Sequence, residues 1–588
     1  MKLNIKTVTI ALASVCCLAT SCSDNYEDLP VNQYTDDFLF SRTDSVGDRA
    51  LGFLGTIYNS LENGHGRVGG YYLDVASDDA LPIAMSSNPD VLRLQLGQYT
   101  ARTTIGGDMK WGPYYELFRK VNIFLRGIDR VPFMVTYKRF DGDEPQRYAN
   151  LLKAEARFIR AWFYFQMVER YGGVTLIGDK VFDIEDDMEL PRNSFEECIK
   201  YIVNELDAVK DSLYEVPIPS PSVNAHRPTK QAAQALKSRV LLYAASPLYN
   251  ENPVEQGNTI VGYAAYDRNR WKLAADAARE LMEGRGHLGT GDVDLSPDFR
   301  ETFLSYYNAD NNPEILFFTQ AGQGTGVETS NGPLGMTGSN NGSGRTNPTQ
   351  NLVDAFPMLD GKMPGESTKY VYDSQNPYAN RDPRLDFTIL HNGSQWLGTS
   401  LQTWQGGANN PSVGDYSLTS YYSKKFMGRF ETSTDYSNCY HLWIMLRYAE
   451  VLLNFAEAEN EYLDAPSEEV YDAIKYLRKR AGIEAGDDGM YGLKPGMTQA
   501  EMRTVIHNER RIELAFEEHR FFDIRRWREA EIIFQQPLRG MRIVSGEGGV
   551  TYSPYDIETV DWDNRQYFYP IPYDEKNKND NMVQNPKW

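Results

Sequence analysis

The chain has 588 residues, with 81 acidic against 60 basic side chains and a formal net charge of −21. That length can bury a large core, and a surface so negative repels phosphate backbones, which argues against general nucleic-acid binding. Only Cys198 and Cys439 lie beyond the first 22 residues; they make no disulfide framework, CxxC pair or Cys/His cluster of zinc spacing, although one bridge between them stays open.

The N-terminus reads as an export signal. MKLNIK carries two lysines, TVTIALASVCCLA is an apolar run of 13 residues, and TSC follows. That run is too short to span a bilayer as a helix, and the order basic, apolar, small is that of a secretory signal. LATSC resembles a bacterial lipobox, with Ala19 where the pattern prefers Leu, Val or Ile. Residues 1–21 are therefore expected to be removed and Cys22 to be acylated, the alternative being an ordinary cleaved signal. Several acyl chains on one cysteine would anchor the protein stably, at about 0.8 kcal/mol per buried CH₂. The polar SDNYEDLP that follows resembles the tag that sends Bacteroidetes lipoproteins to the cell surface.

Residues from about 40 to 285 are predicted to be mostly helical. EARFIRAWFYFQMVERYGG places Phe158, Trp162 and Phe165 on one face and Ile159 and Phe163 on another before Gly172-Gly173, so this helix should be packed on more than one side. TKQAAQALKSRVLLYAASPLYN and RWKLAADAARELMEGRGHLG are Ala-rich and read as degenerate tetratricopeptide-like helical hairpins. From about 290 to 440 the chain turns to long Gly/Asn/Ser/Thr loops carrying aromatics, and loops of that length are usually functional. Helix returns in LRYAEVLLNFAEAENEYL, SEEVYDAIKYLRKRAGI and HNERRIELAFEEHRFFDIRRW, and the tail is extended and Pro-punctuated.

HNERRIELAFEEHRFFDIRRW is the most reactive-looking stretch, with five arginines, five acids and two histidines in 21 residues. Read as one two-faced helix, it places Asp523 and Arg526 on the broad apolar face, where they can pair at i,i+3, as can Glu517 and Arg520. No nucleophile or metal spacing accompanies His519, so a structural polar lock is preferred over a general base. HExxH, P-loop and GxSxG patterns are missing, no GxGxxG stands between a strand and a helix, and no cofactor is implied. NADNNPE and DGDE hint at calcium without the spacing or glycine of a calcium loop, so a structural calcium has no support and no metal ligands are assigned.

Aromatics make up 12 % of the chain. Flat rings stack on the apolar faces of sugars while nearby Asp, Asn or Arg bind hydroxyls. The ligand-binding candidates in loop contexts are Tyr71, Tyr72, Asp79, Arg93, Tyr99, Trp396 and Trp404.

Six blocks in order, EARFIRAWFYFQMVERYGGVTLI, RPTKQAAQALKSRVLLYAA, NPTQNLVDAFPMLDG, RDPRLDFTIL, LRYAEVLLNFAEAEN and NERRIELAFEEHRFFDIRRW, resemble the SusD/RagB outer-membrane lipoproteins of the Bacteroidetes. The ending FYPIPYDEKNKNDNMVQNPKW resembles the close of that family, with Lys587-Trp588 replacing Gly-Tyr. The resemblance implies a mostly α fold, an α-superhelix of tetratricopeptide-like helix pairs scaffolding a loop-rich ligand-binding half. It implies one compact body, an N-terminal helical region over 22–285 and a C-terminal region over 290–588. It also implies a non-catalytic, lipid-anchored protein of the outer membrane, exposed at the cell surface. Such a protein binds a glycan and delivers it to a SusC-like TonB-dependent transporter. LQLGQYTART sits where the starch-binding member has a stacking aromatic, which favours Tyr99. The rival readings are a RagB-like peptide importer, a secreted glycoside hydrolase and a purely architectural helical scaffold.

Overall fold

The computed structural model describes residues 35–84, 89–134, 145–215, 227–304 and 312–588. The signal sequence, Cys22, DGDE and the first four residues of NADNNPE lie outside the described residues. The longer helices are α1 (Asp48–Tyr58), α2 (Trp111–Gly127), α3 (Pro145–Tyr171), α4 (Phe195–Val209), α5 (Lys230–Ala245) and α6 (Asn269–Gly284). After the loop zone come α7 (Tyr448–Tyr462), α8 (Glu468–Ala481), α9 (Gln499–Glu513) and α10 (His519–Arg526).

Local chemistry sets several helix ends. Ser194 opens α4 with a capping box: its Oγ accepts from Glu197 N at 3.2 Å, and Glu197 Oε2 accepts from Ser194 N at 2.8 Å. Thr498 and Glu501 do the same for α9, and α8 stops at Gly482, where φ is +89°. Helices then stack in succession, α2 on α3, α3 on α4, α4 on α5 and α5 on α6, after which α6 and α5 both receive α7. Alanines buried on α5 (Ala232, Ala235) and α6 (Ala274, Ala275, Ala278) keep side-chain bulk low where these helices pack together. This is the superhelix of helix pairs expected from the sequence.

Helix α3 is packed on every side. Phe158 meets Phe317 at 5.1 Å, Phe165 meets Tyr243 of α5 at 5.2 Å, and Tyr164 stacks on Phe118 of α2 at 3.9 Å. Each such ring contributes roughly 1.5–3 kcal/mol of burial.

The loop zone is tied together by small antiparallel pairs, none of more than two strands among the described residues. The longest are β1 (Ile315–Gly324) with β2 (Cys439–Arg447), and the hairpin of β3 (Leu538–Gly546) with β4 (Gly549–Glu558). A short pair joins Ala80–Pro82 to Thr346–Pro348. Cys198, buried, and Cys439, half-buried, are both free thiols.

One expected element is corrected. Residues 507–527 are not a single helix, because Phe516 and Glu518 adopt left-handed φ of 64° and 66° and separate α9 from α10. The turn is held from outside: Asp74 Oδ1 accepts from Phe516 N at 3.2 Å, and Arg67 donates to both oxygens of Glu518 at 2.7 Å. The Asp523–Arg526 pair forms at 2.8 Å, but Glu517 and Arg520 do not pair with each other. Glu517 takes Arg447 and Lys425, while Arg520 reaches Asp78 at 2.8 Å. His519 is buried; its desolvation and the surrounding arginines push its pKa well below the ordinary imidazole value, the behaviour of a neutral structural group.

A buried ion network joins the helices. Glu513 of α9, fully buried, accepts from Arg447 at 2.7 Å and Arg384 at 2.8 Å and also binds Arg480 of α8. Arg447 and Arg480 both reach Glu314, at 2.7 and 2.6 Å. Burial alone would raise the Glu513 carboxyl, but the three guanidiniums reverse this and hold it below the usual carboxylate range. Glu457 of α7 is held similarly, at about 2, where Arg526 overcomes the effect of burial.

Two outcomes follow. Glu513→Ala leaves three buried guanidiniums short of a partner and should cost about 3–5 kcal/mol in denaturant unfolding. The depressed Glu457 pKa makes its pair stabilising above the carboxyl's ordinary value of 4.5 and lost as pH falls toward 2. Glu457→Gln should therefore remove about 3 kcal/mol at pH 7 and much less at pH 2.5, measured by unfolding titrations at both values.

Candidate functional site: a loop-borne aromatic platform

Five of the seven candidate ligand residues are buried in this structure. Tyr72 is 2 % exposed, with its ring 5.7 Å from Phe426 and 5.9 Å from Phe516 and its backbone N–H bonded to Thr346 Oγ1. Tyr71 is buried beside it, with the Arg345 guanidinium 6.0 Å from the ring. Asp79 is fully buried and accepts from Arg511 at 2.7 Å. Tyr99 lies beneath Trp588, stacked at 5.3 Å, with Tyr569 edge-on at 5.5 Å. Trp396 is fully buried, and its Nε1 donates to Tyr436 Oη at 2.9 Å. In this conformation Tyr71, Tyr72, Asp79, Tyr99 and Trp396 are all buried in core and loop packing and present little surface to a ligand.

Arg93 and Trp404 remain at the surface. Arg93 is partly exposed near the end of the short helix Pro89–Gln95 and pairs with Asp90. Gln95 Nε2 donates to Glu558 Oε1 of β4 at 2.8 Å, which ties that helix to the hairpin.

Trp404 sits half-buried in a loop whose shape is set by amide side chains. Asn410, itself buried, donates through Nδ2 to Thr403 O at 3.1 Å and Ser417 O at 3.3 Å, and its Oδ1 accepts from Ser417 N at 2.9 Å. One side chain thus grips the residue before Trp404 and the residue after Tyr416. Asn392 accepts from Thr403 N at 3.1 Å, and Asn409 donates to Leu334 O at 2.8 Å, joining the loop to the neighbouring 333–345 segment. Gly407 is required by close approach, since a Cβ there would lie 2.5 Å from Gln402 O and 3.0 Å from Trp404 Nε1.

Tyr416, absent from the candidates, is 39 % exposed, and its carbonyl accepts from Ala84 N at 3.2 Å. Behind it, Arg542 lies 4.9 Å over the Tyr555 ring, and Met541 N donates to Thr419 O at 3.1 Å. Exposed polar side chains stand on the same loop, at Gln402, Gln405 and Asp415, and on its neighbour, at Thr337, Ser339 and Asn341. The adjacent amides of Asn409-Asn410 were the available signal for Tyr416, because paired Asn in a Gly/Ser loop commonly organise its turns.

Two further concavities differ in kind. An open cleft of ≈ 760 Å³ is lined by Trp562, Phe534, Gln535, Asp561, Asp563 and Asn564. Its Trp562 is stacked on Phe534 at 5.4 Å and bonded to Asn564 Oδ1 at 3.0 Å. A cavity of ≈ 510 Å³ between α2 and residues 59–67 is lined by Glu62, Arg67 and Lys110, with its rings, Tyr114 and Phe163, almost wholly buried.

Stacked helix pairs carrying a face of long ring-bearing loops define a helical-repeat scaffold with a separate loop surface. The chain belongs to the SusD/RagB family. A sequence model described as the SusD family matches residues 313–588, and one described as starch-binding, associating with outer membrane, matches residues 53–242. SusD-like protein P2 of Formosa agariphila is 25 % identical over 450 residues, 75 % of each chain. The crystal structure of a SusD-like protein from Bacteroides fragilis superposes with a TM-score of 0.73 at 27 % identity, covering 94 % of this chain and 99 % of that one. A laminarin-binding SusD-like protein shares the fold, with a TM-score of 0.61 at 19 % identity over 92 % of this chain and 98 % of that one. Among the described residues no helix is long and apolar enough to cross a membrane.

If Asn410 sets the platform, Asn410→Ala should raise amide hydrogen exchange across residues 402–417 by at least about tenfold while leaving α5–α7 protected. Hydrogen-exchange mass spectrometry checks this; uniform exchange changes would place the effect in global stability instead.

Proposed function

We propose that this protein is a cell-surface lipoprotein that captures an oligo- or polysaccharide and delivers it to a SusC-like TonB-dependent outer-membrane transporter. The observation that carries the reading is the Trp404–Tyr416 loop, in which one buried Asn410 side chain holds the flanks of both surface rings. Rings fixed before the ligand arrives lose little side-chain freedom on binding, so stacking on sugar faces is retained as affinity. Gln402, Gln405 and Asp415 supply hydroxyl partners at the edges. The starch-binding description of the family model over residues 53–242 supports a glycan as the ligand class.

Binding without turnover fits the distribution of charge. His519, Glu513 and Glu457, with strongly shifted pKa values, are locked in internal pairs of the scaffold rather than on the platform. Lipidation at Cys22 and surface exposure complete the proposal, since a tether lets the loop face work above a membrane-embedded transporter.

Isothermal calorimetry across purified polysaccharides, with a peptide library beside them, tests the ligand class. Binding to a polysaccharide is expected, weakened at least about tenfold by Trp404→Ala with Tyr416→Ala and unchanged by Trp562→Ala. Binding to peptides alone would move the protein to the RagB-like peptide class, and release of shorter sugars on incubation would make it a hydrolase.

A further inference from the structure

We propose that Glu328, Cys439 and His441 form a zinc(II) site where the β1–β2 pair meets the loop zone. The three come together for simple reasons. Cys439 and His441 are two apart on β2, and the period of a strand puts both on one face. Gly324 pairs with Cys439 and Ala321 with His441, so the chain leaving β1 passes directly into the helix Gly326–Asn331 that carries Glu328.

Their donor atoms are already spaced for a metal. His441 Nε2 lies 3.0 Å from Glu328 Oε1 and 3.4 Å from Cys439 Sγ, and Sγ lies 3.6 Å from Oε1. Tetrahedral zinc with bonds of about 2.0–2.3 Å requires ligand–ligand edges of roughly 3.3–3.7 Å, so the trio approximates one face of that tetrahedron. The second oxygen of Glu328 or a water completes it.

A separate observation points to a cation. Glu328 is fully buried, and its Oε2 has no hydrogen-bond partner among the described residues. Oε1 accepts from Gly428 N at 2.9 Å, an outer contact that would fix the carboxylate's orientation. No lysine or arginine pairs with Glu328 among the described residues, whereas the buried Glu513 and Glu457 are matched to guanidiniums; Asp74 is a second buried carboxylate without one. A buried carboxylate left this way is costly, and a divalent ion removes the cost. Burial, then Glu328, push the Cys439 thiol up to about 12. Zinc reverses that preference: the S–H bond breaks, a Zn–S bond forms and the proton leaves to solvent. Thiolate and imidazole donors favour zinc over calcium or magnesium. The ion would staple the helix Gly326–Asn331 to β2, next to the 333–345 segment. The inference is independent of the glycan reading.

The test uses the purified full chain. Equilibrium dialysis should give about one zinc per chain, and cobalt(II) in its place should show a thiolate-to-metal charge-transfer band. Cys439→Ser should abolish the band, and Glu328→Gln and His441→Gln should weaken metal binding at least about tenfold, while Cys198→Ser changes neither. Zinc should also slow alkylation of Cys439, mapped by peptide mass, without slowing that of Cys198; this needs no variant to fold. Dialysis that leaves less than about a tenth of a zinc per chain, or alkylation of Cys439 unaffected by zinc, overturns the site.

Discussion

Three guanidiniums converge on one buried carboxylate: Arg384, Arg447 and Arg480 all reach Glu513. Taking four charges out of water is tolerated only when their geometry is fixed and the remaining donors are satisfied. Because the four residues come from α8, α9, β2 and the segment around residue 384, their pairing ties the helical stack to the loop zone. Arg447 extends the tie to Glu314 at the start of β1 and to Glu517 in the turn between α9 and α10. A shift of any one element would leave a charge unpaired, so the network acts as a register device. The helix pairs supply burial, and the network specifies how they meet the loops.

That division explains why the surface rings are held by different chemistry. Inside the scaffold, carboxylates and guanidiniums do the fixing. In the 402–417 loop it is done by neutral amides, Asn392, Asn409 and Asn410, each bonded to backbone groups. Neutral amide bonds add little electrostatic field around the proposed site, which suits the uncharged ligand proposed for it. Loop conformation thus rests on contacts other than the ion pairs of the helix network.

Much of the scaffold was legible in the sequence, because alanine runs, apolar spacing and helix stops act locally. Residues 158–165, apolar on two faces, do pack on both. The reading of 507–527 as one helix failed because nothing within the segment reveals the turn; the contacts that hold Phe516 and Glu518 come from Asp74 and Arg67, more than 400 residues away. Four of the aromatic candidates, Tyr71, Tyr72, Tyr99 and Trp396, lie buried for a related reason. A tyrosine or tryptophan in a polar loop looks exposed until a distant partner covers it, as Trp588 covers Tyr99 and Tyr436 caps Trp396. Trp404, packed against the edge of the core, stays half-buried. Cys439 and His441 were passed over because zinc-finger spacing was the template, whereas a strand brings i and i+2 together and the third donor arrives from a neighbouring element.

The central claim is that the ring-bearing loops, and not the charged family motifs, do the recognition. The most direct measurement is a crystal structure of the protein with a bound oligosaccharide that calorimetry has identified. The account predicts a sugar ring stacked against Trp404 or Tyr416, with the 402–417 loop unchanged and the Glu513 network untouched. A ligand seated instead in the Trp562 cleft or in the Glu62–Lys110 cavity, with Trp404 and Tyr416 free, would contradict it.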